Sequence, residues 1–486
     1  MTIILLAVGE LICGTSLYFV AMMTIAMASI GITYNFLGGL STLSGMCFAN
    51  LALQTFVISQ FAKVILREAS DKNLEAPYLT ITIYAVFYFC AMLGVFVYGR
   101  ARIRLPRPME VQTGDQRRVL YIISLALGLV ATVVYQFYTT SYSAEDIQYG
   151  MGRSLALAGT PLLLFSLVLA VDRRIIETGK RHSFGLDAIV PFVPLFIVGF
   201  MNTVRLEMVS PVLVYFMACY VRGYRLRSKH VIAGLTAALV FVGFISPFAL
   251  YTRDVIRGLK LRDRIYVSYH TLMTVHDIGY LMAAQELNVE DKGARREEYY
   301  DVPGTFLLSR LSLIRADSNV ISACSNGFHY GFTAIWIDLL KNIPSFLYPN
   351  KPRYVTGQDY IGHVSGMSSD SEYNTYPQLS GIGDSYGSFG WFGVVLFPLF
   401  ALPLIFVVYE SMFDISKPWG TVALGLCFME MSAIMLPQYL PLLIRTPIFI
   451  LALSSLMGLL VRMIPLGERR RTTSRSYRGT AVSRNV

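Results

Sequence analysis

Apolar runs of about twenty residues recur along this chain, and short hydrophilic connections separate them. A helix needs about 20 mostly apolar residues to cross the hydrocarbon core of a bilayer. Such runs lie at 3–30, 38–62, 79–98, 119–138, 152–171, 185–203, 206–222, 231–250, 388–409, 419–437 and 442–463. The sequence therefore predicts an all-α polytopic membrane protein with eleven transmembrane helices, or twelve if the first 62 residues form three short spans instead of two long ones.

The composition agrees with this interpretation. Of the 486 residues, 54% are hydrophobic and 15% are charged, and the mean hydropathy is +0.53. A soluble domain carries about a quarter of its residues as Asp, Glu, Lys and Arg. The formal net charge is +10, but the basic residues lie mostly in short connections between apolar runs, which does not suit a nucleic-acid-binding surface. A cytosolic enzyme, a nucleic-acid-binding protein and a disordered scaffold are excluded.

The basic connections also predict an orientation. Their clusters lie at 100–118, 173–181, 222–229 and 469–484. All four fall on one side of the predicted bundle, and the positive-inside rule makes that side, with the C-terminus, cytoplasmic. The 63–78 loop is predicted on the opposite side, although it contains Lys63, Arg67 and Lys72 and so fits the rule less well.

Four parts follow from the order of these segments. Residues 1–250 are predicted to form an N-terminal transmembrane bundle of about eight spans, and residues 388–463 three C-terminal spans. Between them, 251–387 form one large, mostly helical extracytoplasmic loop, and 464–486 form a basic, disordered cytoplasmic tail. Within the loop, the spacing of apolar residues predicts helices at about 305–323 and 333–342.

Two arginines stand where a bilayer normally excludes charge. Arg205 lies at the predicted outer mouth of the sixth and seventh spans, and Arg445 lies near the outer end of the last span. An arginine inside hydrocarbon costs about 2.5–3.5 kcal/mol on insertion scales, so it normally faces a cavity, a partner or the interface. Snorkelling to the interface is the structural alternative. An anion site at the outer face is the functional one.

The large loop contains two further groups of polar residues. In LLSRLSLIRADSNV, Arg310 and Asp317 share a helix face, whereas Arg315 projects about 140° away from Arg310. In KNIPSFLYPNKPRY, prolines fix the backbone beside Lys351 and Arg353, and such a rigid basic turn suits a phosphate or sugar ligand. The structural alternative for the first group is a charged helix face, and for the second group it is an ordered connector.

Other ionisable residues are weaker candidates. Glu430 lies inside an apolar run, where a carboxylate is either a proton carrier or a neutral, hydrogen-bonded group. His329 and His363 are candidate proton carriers, since imidazole titrates near neutrality. The sequence has no metal-ligand spacing, phosphate-binding loop or nucleophile elbow. We expect neither a metal nor a cofactor.

The order of these features resembles the Wzy-type polymerases of bacterial polysaccharide repeat units. The resemblance covers most of the chain in architecture, and its motifs match about 200–220 and 305–395. They are the arginine that opens a late span, Arg205, the segment I-P-x-x-L-x-P-x-[KR]-P from Ile343 to Pro352, and GIGDSYGSFGWFG at the next helix mouth. In the last motif Asp384 stands where a glutamate is commoner.

The resemblance implies an inner-membrane glycosyltransferase that requires neither a metal nor a nucleotide sugar. Its donor and acceptor would be undecaprenyl-diphosphate-linked oligosaccharides, met at the periplasmic face of a bacterial inner membrane. The growing glycan would be transferred onto a new lipid-linked repeat unit. Membrane lipid and a chain-length regulator protein are the other candidate partners, and no nucleic acid is expected.

The implied site contains cations for the diphosphate leaving group and a general base for the attacking sugar hydroxyl. Asp384, Asp317 and His363, in that order, are the candidates for the base. The candidates for binding substrate and diphosphate are Arg205, Arg310, Arg315, Lys351, Arg353, Arg445 and Tyr386.

Two other functions stay open. A lipid-glycan ligase would share the architecture and the arginines. A transporter or flippase of lipid-linked oligosaccharide is the alternative that is not an enzyme, although the two halves of the chain show no repeat of the kind usual in transporters.

Overall fold

The computed structural model of the chain describes residues 2–98, 101–109, 114–141, 159–202, 205–225, 299–301, 312–327, 329–343, 379–431 and 436–463, with Tyr348 and single positions between 228 and 273. These residues form α-helices and short 3-10 and π turns, and they contain no β-strand. The predicted tail, 464–486, lies outside the described residues. The predicted all-helical fold is confirmed for the part of the chain that is described.

Residues 2–98 form four helices. They are α1 (Thr2–Ile12), α2 (Leu17–Phe36), α3 (Leu43–Leu66) and α4 (Pro77–Tyr98). The run predicted as one span at 3–30 is thus two helices, because the chain turns at Gly14 (φ 88°) beside the buried carboxylate of Glu10. That carboxylate accepts hydrogen bonds from Thr15 (2.6 Å) and Ser70 (2.7 Å). With 11 residues, α1 is about 16 Å long and does not reach across a core of about 30 Å.

Four more helices follow. They are α5 (Gly114–Ser141), α6 (Pro161–Glu177), α7 (Leu186–Met201) and α8 (Arg205–Val221). The last three pack through a small apolar core that contains Leu167, Val171, Ala188 and Cys219. The span predicted at 231–250 lies mostly outside the described residues.

The large loop contributes two described helices, α9 (Ile314–Cys324) and α10 (Thr333–Asn342). The helix predicted at 333–342 is confirmed, and the one predicted at 305–323 is described only from Ile314 onward. The C-terminal part then forms α11 (Gly381–Leu396), α12 (Leu402–Met412), α13 (Pro418–Glu430), α14 (Leu436–Leu440) and α15 (Thr446–Met463). Single π turns join α11 to α12 and α14 to α15, so the segments Trp391–Met412 and Gln438–Met463 each run on as one long helix.

Six helical segments in the described ranges are long and apolar enough to cross a membrane. They are Leu17–Phe36, Leu43–Leu66, Pro77–Tyr98, Asp115–Tyr138, Trp391–Met412 and Gln438–Met463. The chain is therefore a helical protein with candidate membrane spans. The other predicted spans correspond to shorter helices or to positions outside the described residues, so a count of eleven or twelve stays a prediction.

One end of the bundle, here called the loop end, brings the large loop onto the connection between α3 and α4. Glu68 accepts a hydrogen bond from the backbone N–H of Asp301 (2.9 Å) and pairs with the buried Lys63 (2.8 Å). Lys72 pairs with Asp301 at 2.5 Å. The 63–78 connection therefore lies at the same end as the large loop, as predicted. Its two lysines are neutralised by carboxylates, which explains how a basic connection can lie at this end.

The opposite end, here called the basic end, gathers the arginine-rich connections. Asp172 of α6 is buried and forms ion pairs with Arg117 of α5 (3.3 Å) and with Arg222, which follows α8. The backbone N–H of Ile103 donates to Ser411 of α12 (3.1 Å). Three connections that are distant in sequence therefore meet at one end of the bundle, and the cytoplasmic location of that end stays a prediction.

Candidate functional site

The amino end of α11 is a buried polar site within apolar packing. The Ser380 side chain caps the helix, because its Oγ accepts hydrogen bonds from the backbone N–H groups of Ile382 (3.0 Å) and Gly383 (3.4 Å). The helix thus begins at Gly381, before the predicted span at 388–409. The glycine-rich motif forms the first turns of the helix, and Asp384 lies inside it.

Asp317 of α9 is held against this cap. Its carboxylate accepts hydrogen bonds from the Ser380 backbone N–H (2.9 Å), the Ser380 hydroxyl and the Tyr84 hydroxyl of α4. Asp317 has no exposed surface, and burial raises the pKa of its carboxyl to about 6 against the opposing effect of these hydrogen bonds. Three distant segments, α4, α9 and α11, therefore meet at one carboxylate.

Asp384 connects the amino end of α11 to α14. Its Oδ2 accepts a hydrogen bond from the backbone N–H of Leu436 (2.6 Å), the first residue of α14, and the residue is 1% exposed. A carboxylate at the amino end of a helix is stabilised by the unpaired N–H groups and the helix dipole. Asp384 thus contacts α14, whereas Asp317 contacts α4 and the cap of α11.

Tyr386 lies two residues further along, in an aromatic contact with His329 of the large loop. Its ring is buried and meets the ring of His329 edge to face (centroids 5.8 Å apart). Gly390 interrupts the helix here, with φ 58° and ψ −141°, and a Cβ at this position would lie 3.1 Å from His329 Nε2. Glycine is required for the positive φ, and a Cβ would also force the imidazole to shift by a few tenths of an ångström.

Arg445 lies in the π turn between α14 and α15, inside the candidate span Gln438–Met463. Its guanidinium interacts electrostatically with Glu430 at the end of α13. The Thr446 hydroxyl lies 3.5 Å from Glu430 Oε2, at the long limit of a hydrogen bond. The Glu430 side chain is exposed. Arg445 therefore has an acidic neighbour in the protein, and snorkelling alone does not account for it.

The other predicted site residues are only partly described. Arg315 is half-buried on α9, two residues before Asp317. Arg205 is the first residue of α8, and its side chain lies outside the described part. The remaining candidates, Arg310, Lys351, Arg353 and His363, lie outside the described residues. The meeting of several cations around one diphosphate stays a prediction.

Two residues of this site, Ser380 and Tyr84, did not emerge from the sequence. A serine directly before a helix start is a cap signal, and it would have identified Ser380 if the glycine-rich segment had been read as helical. Tyr84 has no such signal, since it lies within an apolar run and meets Asp317 across 233 residues of sequence.

No family model, curated protein or solved structure matches this chain.

Proposed function

We propose that this chain is an inner-membrane polysaccharide polymerase. It would transfer a growing glycan from undecaprenyl diphosphate onto a new lipid-linked repeat unit at the periplasmic face. The main support is the packing of Asp317, Asp384 and Tyr386 around one helix mouth, at the end of the bundle opposite the basic connections. The order of the sequence motifs supplies the reaction class.

In the proposed reaction, a hydroxyl oxygen of the acceptor sugar attacks the anomeric carbon of the donor glycan. The bond from that carbon to the diphosphate oxygen breaks, undecaprenyl diphosphate leaves, and the hydroxyl proton passes to a base. Cationic side chains in a site with little water lower the barrier, because negative charge grows on the leaving group. Arg445 is a described candidate for this role, with Arg205, Arg310, Arg315, Lys351 and Arg353.

The described geometry narrows the roles of the acidic residues within this proposal. Asp317 and Asp384 are buried, and their oxygens accept hydrogen bonds from neighbouring segments. To act as a base, either carboxylate would need α11 to move. Both therefore suit positioning of the helix mouth better than proton transfer in this conformation. Glu430, which is exposed and interacts electrostatically with Arg445, is an additional candidate for the base.

A deletion strain tests the proposal against its alternatives. Loss of a polymerase should leave surface glycan one repeat unit long. Loss of a ligase should leave no glycan on the lipid core, and loss of a transporter should trap lipid-linked units inside the cell. Glycan length on gels, with the sidedness of the lipid-linked pool, separates the three outcomes. Either of the last two would overturn the polymerase assignment.

A further inference from the structure

The basic end contains a cavity that the proposed reaction does not use. Its volume is about 140 Å³, well above the roughly 10–15 Å³ that one water molecule needs. Four cationic side chains line it: Arg107, Arg117, Arg222 and Lys417. The cavity lies where two candidate membrane spans end, since it adjoins the first turn of α5 and the last residue of α12, and it also adjoins the connection to α13.

The charge of this cavity favours an anion. Asp414 is the acidic residue among its lining residues, and Asp172 lies behind Arg117 and Arg222 as their ion-pair partner. Among the described residues, two carboxylates against four cations leave two positive charges. The cavity also adjoins the amino end of α13, a 13-residue helix whose first turn has no side-chain cap. The unpaired N–H groups there add to the positive potential.

A second, more apolar cavity of about 60 Å³ adjoins the first, between α5 and α15. Met109 and Trp419 border both cavities. The walls of the second include the apolar residues Leu120, Met457 and Val461, and also the polar residues Gln116, Ser454 and Arg462. Trp419 is held rigidly, since its ring stacks on Phe165 with centroids 3.8 Å apart. A charged chamber at the ends of the spans therefore continues into a groove between two of them, with a partly apolar wall and the cation Arg462 among its lining residues.

From this juxtaposition, we propose that the basic end binds an anionic phospholipid. The headgroup phosphate occupies the chamber lined by Arg107, Arg117, Arg222 and Lys417, and an acyl chain follows the groove between α5 and α15. A free anion would match the chamber but leave the groove unfilled. A zwitterionic lipid would match the groove but gain less from the net positive charge. Basic pockets between transmembrane helices are a general means of binding acidic lipid headgroups.

The choice of variants follows from the ion pairs. Arg117 and Arg222 hold the buried Asp172, so removing either leaves a buried charge unpaired and endangers folding. Arg107 is exposed and Lys417 is half-buried beside Asp414, so Arg107→Gln with Lys417→Gln removes two charges at lower risk. Arg181→Gln with Arg225→Gln is the matched control. It removes two exposed arginines from the same end but outside the cavity.

Binding is measured by native mass spectrometry on the full-length chain in detergent, with dioleoyl phosphatidylglycerol, dioleoyl phosphatidylcholine and inorganic phosphate as probes. We expect phosphatidylglycerol to bind tightest. The cavity variant should lose about tenfold or more in affinity for it, and the control variant should retain it. Raising salt from about 0.1 to about 1 M shortens the Debye length from about 10 to about 3 Å and should weaken binding.

Three results would overturn the assignment. Equal loss of affinity in both variants would mean a diffuse charge effect. Equal binding of the two lipids would mean an apolar groove without headgroup recognition. Competition by inorganic phosphate as strong as that by the lipid would mean a free-anion site. None of these results depends on the polymerase proposal, because the cavity lies at the other end of the bundle.

Discussion

Lys63 is a lysine at the end of a candidate membrane span, and its side chain has no exposed surface. Its ammonium pairs with Glu68 at 2.8 Å and lies 4.3 Å from the centre of the Tyr299 ring. Glu68 in turn receives the backbone N–H of Asp301. A residue that looked like an exception to the positive-inside rule thus binds the large loop to the N-terminal helices.

Lys63→Met should lower the free energy of unfolding by about 3–5 kcal/mol, because it leaves Glu68 buried without its cation. Lys72→Met is the matched control. Lys72 pairs with Asp301 on the surface, where water and salt screen the ion pair, so its loss should have little effect on stability. Denaturant titration in detergent micelles measures both. Equal effects of the two substitutions would contradict a structural role for the buried pair.

Asp317 predicts a pH dependence of stability. Its carboxyl has a pKa of about 6 in the folded protein against an ordinary value of 3.8. Below pH 3.8 the Asp317 carboxyl is protonated in both the folded and the unfolded protein, so its burial does not lower the free energy of unfolding. As pH rises from 3.8 to about 6, the Asp317 carboxyl ionises first in the unfolded chain, so the free energy of unfolding decreases. Above about pH 6 the decrease is complete, at about 2–3 kcal/mol.

Asp317→Asn should remove this component. The melting temperature of the wild-type protein should decline between these two pH values, and that of the variant should decline less. Both are measured across the window in the same detergent. Parallel pH curves would mean that Asp317 does not titrate as burial requires. Asp317→Asn also changes the free energy of unfolding at every pH, because the amide offers one oxygen acceptor where the carboxylate offers two.

At the scale of helices, α4 packs against the π turn between α11 and α12 with almost no space between backbones. A Cβ on Gly94 would lie 2.3 Å from the Leu399 carbonyl oxygen. Neither backbone can move away without opening the contact between these two candidate spans. The glycine is therefore required by the close approach of two helices.

Gly94→Ala should destabilise the protein by about 2 kcal/mol or more, because it forces the two backbones apart. Gly31→Ala is a matched control within α2, where a Cβ would meet nothing within 4 Å. This substitution should be neutral or stabilise by up to about 1 kcal/mol through helix propensity. Thermal unfolding of the two variants side by side measures the difference. A reversed order would mean that the helix contact is loose.

At the scale of the whole molecule, the polymerase proposal depends on cations from distant segments acting on one leaving group. Arg205→Ala should abolish long-chain glycan, since it removes one of them at the start of α8. Arg225→Ala, beyond the other end of the same helix, should leave chain length unchanged. Glycan profiles of the complemented deletion strain, with immunoblots for protein level, report the result. Normal chain lengths with Arg205→Ala would remove this residue from the site.

Chelation is a second test of the same mechanism. If guanidinium and ammonium groups stabilise the leaving diphosphate, EDTA should not slow transfer by the purified protein. A magnesium-dependent glycosyltransferase assayed in parallel shows that the chelator is effective. Inhibition that is reversed by adding a divalent cation would contradict a mechanism based on side-chain cations.

Hydropathy and charge were sufficient to predict several features. These were the helical membrane class, the helix at 333–342, and the meeting of the 63–78 connection with the large loop at one end. Each follows from a property that is local in sequence or from the parity of spans. The break at Gly14 and the start of α11 at Gly381 were missed. Both depend on polar contacts, Glu10 with Ser70 and Asp317 with Ser380, that join residues far apart in sequence.

The primary structure alone was enough to determine that this chain buries long apolar helices and collects its basic connections at one end, because hydrophobicity and charge act on every segment independently. Only the tertiary structure determined which polar groups are brought together and buried. Asp317 is held by Tyr84 and Ser380, and four cations enclose one chamber at the basic end. Such groups are brought together by helix packing, and the contacts that stabilise them form only once distant segments already lie side by side.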